Sequence, residues 1–545
     1  MNRCGMRNAA DNRHRRGGFI LIVVTIVILL LSLAAYTYSG TMLVEYEAAA
    51  MHGRDVEARM HAESAIEFAA IRIAEKDADP TIDLFHDPAT FRGVALFDIS
   101  VPRAQARFSI VTPDDTGTAT GGVRFGLGNE NAKYHLNQLI ELDEDDDELT
   151  DPLLTLSYIP GMTEDIASAI LDWIDSDDDR RLGGAETPDY QALAIPYEAR
   201  NGPMESIDEL LQVQGVTPQL FYGEDANRNG VLDPNENDGD ASPPFDNADG
   251  VLDLGFVDYL TVTSLERNTN ADGEEKIDLN QGLMTELFDA IELELGEEAA
   301  QFIVAYRLFG STDAALATEQ SLTVDQEEAA NAIGKAVAGD VEGTVTRAGL
   351  DLTKTAVFSF RSIYDLIDAE VPAEIDGTPV TLLSPWTSSP ASLLAEMPDL
   401  EQLLTVGDDA VLSGRINVNQ ASFPVLMTLP EITETMASNI EASRPPVLSS
   451  ASTSSVLQNR MTAAWLLAEG LVDLETLRQI GPHVTVGGDV YRFQAVGHYD
   501  QGGPTTRLEA IIDATQSPPR VTFARDLTSL GRGFHPSVFT GEEGQ

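Results

Sequence analysis

The sequence predicts an α+β fold: an N-terminal transmembrane helix continues into an α/β domain, which is interrupted by a large, mostly helical insertion. Three observations predict it. Residues 19–44 carry no charge. Alternating strand patterns occur near both ends of the exported chain and are missing from its middle. An Asn-Gln motif, at 137, 280 and 419, precedes helical apolar patterns three times, with periods of 143 and 139 residues.

Taken in order, residues 1–18 form a basic leader, with Arg13-His14-Arg15-Arg16 ahead of Gly17-Gly18. Residues 19–44 are long enough to cross about 30 Å of hydrocarbon as one helix, and the preceding arginines favour a cytoplasmic N-terminus. An ordinary signal peptide is the simpler alternative, but its cleavage site follows the apolar core. Here the Gly18-Phe19 junction precedes it. Glu45 to Lys76 has no proline and one glycine, Gly53, so the helix is expected to run on outward. Val94 to Val101 and Ala106 to Val111 read as the first strands, within a unit spanning 45–130.

Three helical units follow, at 131–265, 266–410 and 411–485, each opened by its Asn-Gln motif. In the first and third, a helix, a Pro-centred turn and a second helix are expected: Leu153 to Tyr158, Pro160-Gly161, Ile166 to Trp173; and Val425 to Thr428, Pro430-Glu431, Met436 to Ile440. Shorter helices are expected at Ser206 to Val213, Ser362 to Ala369 and Ala463 to Leu477. The middle unit has lost the Pro-Gly turn, and Ala299 to Leu308 takes the place of its second helix. Residues 486–545 return to strands at Val490 to Val496, Arg507 to Asp513 and Arg520 to Ala524.

Composition bounds the function. The 545 residues exceed one core and imply three or more domains. The net charge is −55, and the leader's five arginines and one aspartate leave the mature chain at −59. Such a surface repels nucleic acid and attracts divalent cations. The lone cysteine, Cys4, lies in the leader, so the exported part forms no disulfide, thiolate metal site or cysteine nucleophile. No P-loop, GxGxxG, HExxH or Gly-x-Ser-x-Gly pattern occurs, so no enzyme activity is expected. His135 and His483 read as packing or surface residues.

Calcium is the expected brace. Asp225, Asn227, Asn229, Gly230, Val231, Asp233 and Glu236 fit positions 1, 3, 5, 6, 7, 9 and 12 of the twelve-residue calcium loop. Alternate short side chains converge oxygens on a hard cation, glycine permits the sharp turn, Val231 offers its carbonyl, and Glu236 closes the sphere. Asp175, Asp177, Asp179 and Glu186 repeat positions 1, 3, 5 and 12, with Arg180 at the glycine position. Asn247, Asp249, Gly250 and Asp253 form a third fragment, with Phe245 and Phe256 where its first and last ligands belong. Asp143 to Glu148 lacks the spacing and reads as an exposed acidic loop.

The leader, the Gly18-Phe19 junction, the apolar segment and the continuing helix together resemble a type IV pilin or pseudopilin precursor. That resemblance implies cleavage between Gly18 and Phe19 by a prepilin peptidase, and methylation of the new N-terminus. The fifth mature residue is Val23, where most pilins have a glutamate. The Pro-centred turns resemble helix-hairpin-helix motifs. Glu164, Asp165 and Glu431 stand where a phosphate would dock, which opposes DNA binding. A pilin-like α/β domain split by a helical insertion resembles the K-type minor pseudopilins of the type II secretion system. The likeness is carried by Leu136-Asn137, Asp172 to Asp178, Gly184-Ala185-Glu186, Tyr190, Asn201-Gly202, Ile207 to Val216, Ile416 to Asn419, Ala464 to Leu467, Val490 to Arg492 and Val496-Gly497.

The K-type resemblance implies a filament-tip subunit that starts or caps the pseudopilus and supports export across the outer membrane. A subunit without the glutamate fits best at the tip. The implied partners are the I- and J-type minor pseudopilins, the major pseudopilin, prepilin peptidase and the inner-membrane assembly platform. The implied location is the inner membrane, single-pass, with the large C-terminal region in the periplasm. The unit near 265–410 and the segment from Asp225 to Asp253 look additional to the family pattern. A type IV pilus minor subunit, possible in DNA uptake, and a membrane-anchored, calcium-braced adhesion protein are the alternative readings.

Overall fold

The computed structural model describes residues 17–79, 82–97, 99, 101, 104–113, 120–140, 151–313, 345–444 and 459–540. Cys4 and the acidic run from Asp143 to Glu148 lie outside these residues. Helix α1 spans Gly17–Ala78, 62 residues, and contains the one span among the described residues that is long and apolar enough to cross a membrane. From Ala58 onward its inner face is a stripe of Ala58, Ala62, Ala65 and Ala69, all fully buried. Their spacing of three and four residues places them on one face, and their small size brings the helix close to the sheet beneath. A Cβ on Gly497 would lie 1.9 Å from the carbonyl oxygen of Ala58, so only glycine fits that strand position.

The main sheet consists of β1 (Ala106–Pro113), β2 (Val123–Arg124), β3 (Gly128–Asn129), β4 (Val490–Tyr499), β5 (Thr506–Asp513) and β6 (Arg520–Asp526). Its order is β6-β5-β4-β1-β2, with β3 also on β4, and every pairing is antiparallel. Phe108, Ile110, Phe493, Ala495 and Ile512 pack with Ile66, Ile73 and Phe91 in a core of their own. Because Asn129 of β3 lies opposite Tyr491 of β4, residues 130–489 leave and return to the same sheet.

No strand forms over Val94 to Val101, which corrects the expectation for that segment; residues 98 and 100 lie outside the described set. Val94 alone bridges to Phe108. Beyond it the Gln105 side chain replaces a ladder, its Nε2 donating to the Phe97 carbonyl (2.8 Å) and its Oε1 accepting from the Ile99 N–H (2.6 Å).

Within 130–489 a second core runs from Tyr134 to Val484. Three two-residue parallel ladders recur there: Tyr134–His135 with Leu260–Thr261, Ile277–Asp278 with Leu404–Thr405, and Ile416–Asn417 with Val484–Thr485. The next residue extends each ladder by one bond, Leu136 to Thr261 (2.9 Å), Leu279 to Thr405 (3.0 Å) and Val418 to Thr485 (2.9 Å). The asparagine that follows is a tether. Asn137 exchanges two bonds with the Met204 backbone (3.0 and 2.8 Å), and Asn280 does the same with Phe360 (2.9 and 2.8 Å). Asn419 donates to the Arg460 carbonyl and accepts from the Trp465 indole, both at 3.0 Å. An amide can give and accept at once, which a carboxylate cannot.

Helices α2 (Glu164–Ile174), α3 (Met284–Leu295), α4 (Glu297–Phe309), one over Pro390–Leu403 and α5 (Glu434–Ala442) are the longer described pieces near these ladders. Ser206 and Ser362 cap short 3-10 turns, Ile207–Gln212 and Ile363–Leu366, where longer helices were expected. The expected helix over Ala463 to Leu477 is two pieces, Trp465–Ala468 and Leu474–Ile480, separated by Gly470 with φ +71°. A hairpin, Glu370–Ile375 with Thr378–Leu383, turns at Asp376-Gly377 and was not expected, although Asp-Gly is a strong hairpin signal.

The insertion joins the sheet at Glu130, which is 1% exposed. Its carboxylate meets Arg492 of β4 (2.8 Å), Thr261 Oγ1 (2.6 Å) and Lys133 (3.3 Å), while Arg492 also reaches Glu509 of β5 (3.1 Å). Burial alone would raise the Glu130 pKa, but Arg492 and Lys133 outweigh it and hold the carboxyl well below the usual range.

The two Pro-centred turns share one strained position, Gly161 at φ +77° and Glu431 at φ +58°. Left-handed backbone is costly for a residue with a Cβ. Glu431→Gly should therefore stabilise the protein by about 0.5 to 1 kcal/mol in chemical unfolding, and a loss of stability would contradict this reading of the turn.

Candidate functional site

Two acidic loops are the candidate site. The first is positioned by α2, whose inner face is buried and whose N-terminus is capped by Thr163 Oγ1 accepting from the Ile166 N–H (3.3 Å). Asp172 points inward from its last turn, fully buried, and Asp175 caps its end. Asp172, Asp175 and Glu186 offer carboxylate oxygens within 4.8 Å of one another. Glu186 is 1% exposed, and both of its oxygens are buried without a hydrogen-bond partner. Burial, and then Asp172 and Asp175 beside it, push its pKa up to about 7. Three converging carboxylates, one wholly unpaired, suit a hard divalent cation.

Of the expected ligands, Asp175 and Glu186 are brought together, whereas Asp177 and Asp179 lie in an exposed turn, with Asp177 Oδ1 accepting from the Asp179 N–H (2.7 Å). Asp172 was missed. It sits one turn before the loop pattern begins, and its nearest signal is Gly184, where a Cβ would lie 2.0 Å from Asp172 Oδ2. The neighbouring Trp173 packs edge-on against Tyr190, with centroids 5.2 Å apart.

In the second loop Asp225, Asn229 and Glu236 are 7, 2 and 1% exposed. Asp225 accepts from the Asn229 and Gly230 N–H groups (3.0 and 2.7 Å), and Glu236 from those of Ala226 and Asp233 (both 3.0 Å). Gly230 has φ +71°, as the sharp turn requires. Burial pushes Glu236 up to about 6 and raises Asp225. Asn227 and Asn229 donate to Asp233 (2.6 and 2.9 Å), and the buried Asn227 Oδ1 has no partner. Turning that amide would aim its oxygen at Asp233 and at a cation beside it, so these residues also fit calcium. The Val231 N–H is held by Asn229 Oδ1 (2.7 Å), and Val231 bridges to Gly121.

This loop also docks on the sheet. The Arg228 carbonyl accepts from Arg507 (2.7 Å) and Gln494 (2.5 Å), and Asn229 donates to the Gly533 carbonyl (2.6 Å). The third fragment has the same backbone signs, Ala248 at φ +53° and Gly250 at +81°, and Phe256 is fully buried where a ligand would stand. Glu224 reaches that fragment, accepting from the Asp253 N–H at 3.3 Å.

Other expected positions are plain. Gly18 lies in the first turn of α1, and Phe19 is exposed. His135 is buried, and burial lowers its pKa to about 4. A cleft of about 760 Å³ opens between the sheet and the insertion. Its guanidinium groups are engaged, Arg492 by Glu130 and Glu509, Arg525 by Asp208, and Arg228 over the Tyr222 ring.

If both loops hold calcium, chelation should lower the Tm of the intact protein, because a ligand that binds only the folded state stabilises it by mass action. Asp225→Asn with Glu236→Gln should shrink that response. A Tm indifferent to EDTA, with no calcium heat in calorimetry, would defeat the proposal.

Residues 132–222 match the model of the family described as type II secretion system (T2SS), protein K. A type II secretion system protein K from Pectobacterium carotovorum subsp. carotovorum is 41% identical over 58 residues, 11% of this chain and 18% of the relative. A putative type II secretion system protein K from Escherichia coli K12 is 29% identical over 109 residues, 18% of this chain and 33% of the relative. The matched segments thus span a third or less of those relatives. A solved GspK-GspI-GspJ complex from the enterotoxigenic Escherichia coli type 2 secretion system is a faint likeness, at 12% identity and TM-score 0.35, covering 87% of this chain and 97% of that one. Residues 132–222 are thus similar to type II secretion system protein K.

Proposed function

We propose that this chain is a K-type minor pseudopilin at the tip of a type II secretion pseudopilus, where it starts or caps assembly and supports export across the outer membrane. The carrying observation is the family match over residues 132–222 on a chain that opens with an apolar helix. In this reading the protein crosses the inner membrane once, with its large C-terminal region in the periplasm. It acts without catalysis. Its partners are the I- and J-type minor pseudopilins, the major pseudopilin, prepilin peptidase and the assembly platform. A net charge of −55 argues against nucleic acid.

Residues 131–265, 266–410 and 411–485 are three copies of one helix-hairpin-helix-like unit within the pilin-like domain, a reading supported by the three parallel ladders and their asparagine tethers. Ca2+ braces the first unit through the Asp175 and Asp225 loops. Val23 offers no carboxylate to the terminal amine of a neighbour, so this subunit does not extend the shaft.

Two measurements test the proposal. Mass spectrometry of the mature protein should find N-methylated Phe19 at its N-terminus; a start beyond Ala35 would rule out prepilin processing. An antibody against residues 131–480 should label one end of each filament, and regular labelling along the shaft would refute the tip position.

A further inference from the structure

The first calcium loop already contains a cation of its own. Arg181 stands at position 7 of the loop that starts at Asp175, a position that in calcium loops contributes its backbone carbonyl. Here its side chain turns inward. The guanidinium Nη1 donates to Asp172 Oδ1 at 2.8 Å and also bonds Asp175, while the Arg181 N–H reaches Asp172 Oδ2 at 3.2 Å. Two of the three clustered carboxylates are therefore held by one planar cation, and the third, Glu186, is left unpaired at 1% exposure. A guanidinium fork matches a pair of carboxylates well, but it carries one charge and cannot close a cage of three.

The geometry points to Arg181 as a built-in competitor for the divalent cation: its guanidinium holds Asp172 and Asp175 while the metal is away, and must swing out for the metal to bind all three carboxylates. The inference rests on the reading of this loop as a calcium site. It does not depend on the Asp225 loop. The Arg181 side chain keeps 26% of its surface exposed, so an outward path to solvent exists, whereas Asp172 is sealed. The arrangement lowers affinity, because metal binding must break charge-assisted bonds that were already made. It also keeps the cluster folded when the metal is absent, since Asp172 is never buried without a counter-charge.

The test uses the full chain in detergent and the luminescence of terbium, a calcium stand-in, excited through tryptophan. Trp173 adjoins the cluster, while Trp386 and Trp465 lie far along the sequence. Arg181→Gln should tighten terbium binding, and calcium displacement of it, by about tenfold to a hundredfold, the equivalent of the charge-assisted bonds removed. Arg181→Lys keeps the charge without the fork and should fall between the two, which guards against a Gln variant that folds poorly. Unchanged or weaker binding in both variants would overturn the competitor role while leaving the calcium site standing. If instead the wild type and Arg181→Gln both give a signal that survives Asp175→Asn with Glu186→Gln, or no signal at all, the calcium reading of this loop fails and the inference falls with it.

Discussion

The ion pair of the buried Glu130 with the half-buried Arg492 fixes how the insertion stands on the sheet. Glu130 opens the insertion, Arg492 belongs to the strand that resumes the sheet, and Thr261 at the end of the first ladder bonds the same carboxylate. Burying two charges is expensive, and the attraction repays it only when the remaining donors and acceptors are satisfied. Here they are: Glu130 takes Arg492, Lys133 and Thr261, and Arg492 divides itself between Glu130 and Glu509. Losing Arg492 would leave the buried Glu130 carboxylate to Lys133 and Thr261, and losing Glu130 would leave Arg492 to Glu509, so the cost stays below the figure of about 3 to 5 kcal/mol for a pair left with no other partner. The node thus ties β3, β4, β5 and the first helical unit at one point.

Away from this node the insertion is made of pieces too short to be stable alone. Among the described residues its longest helices run 13 and 14 residues and many have four or five, lengths at which isolated helices are marginal or unstable in water. The ladders and asparagine tethers supply closure without cysteine. The loop after α2 adds a local electrostatic strain: Asp172, Asp175 and Glu186 lie close together, and burial with its two neighbours raises the Glu186 pKa. Arg181 relieves part of it from within.

Much of this was legible in the sequence because it rests on local periodicity. The apolar helix, β1 and the three C-terminal strands sit where alternation and helical spacing put them. The strand expected at Val94 to Val101 failed because Gln105 satisfies that backbone with a side chain, a substitution no periodicity reveals. The parallel ladders are two residues long and join segments 68 to 127 residues apart, so nothing local announces them. At the candidate site the loop spacing includes Asp175 and Glu186, which the structure brings together, and Asp177 and Asp179, which are exposed; Asp172, one turn earlier in α2, falls outside the spacing. The hairpin at Asp376-Gly377, by contrast, has a local signal in its Asp-Gly turn.

The consequence is mechanical: the Glu130–Arg492 contact, with Thr261, holds the helical insertion directly on the sheet. All three tryptophans, Trp173, Trp386 and Trp465, lie in the insertion, so their fluorescence follows its unfolding, while amide exchange in β4 and β5 follows the sheet. The most direct measurement is urea unfolding of the detergent-extracted protein by both probes, in the wild type and in Glu130→Gln. The account predicts coincident transitions in the wild type and, in the variant, a tryptophan transition moved to lower urea and separated from the sheet. Separate transitions in the wild type, or a variant in which both stay together at an unchanged midpoint, would contradict it.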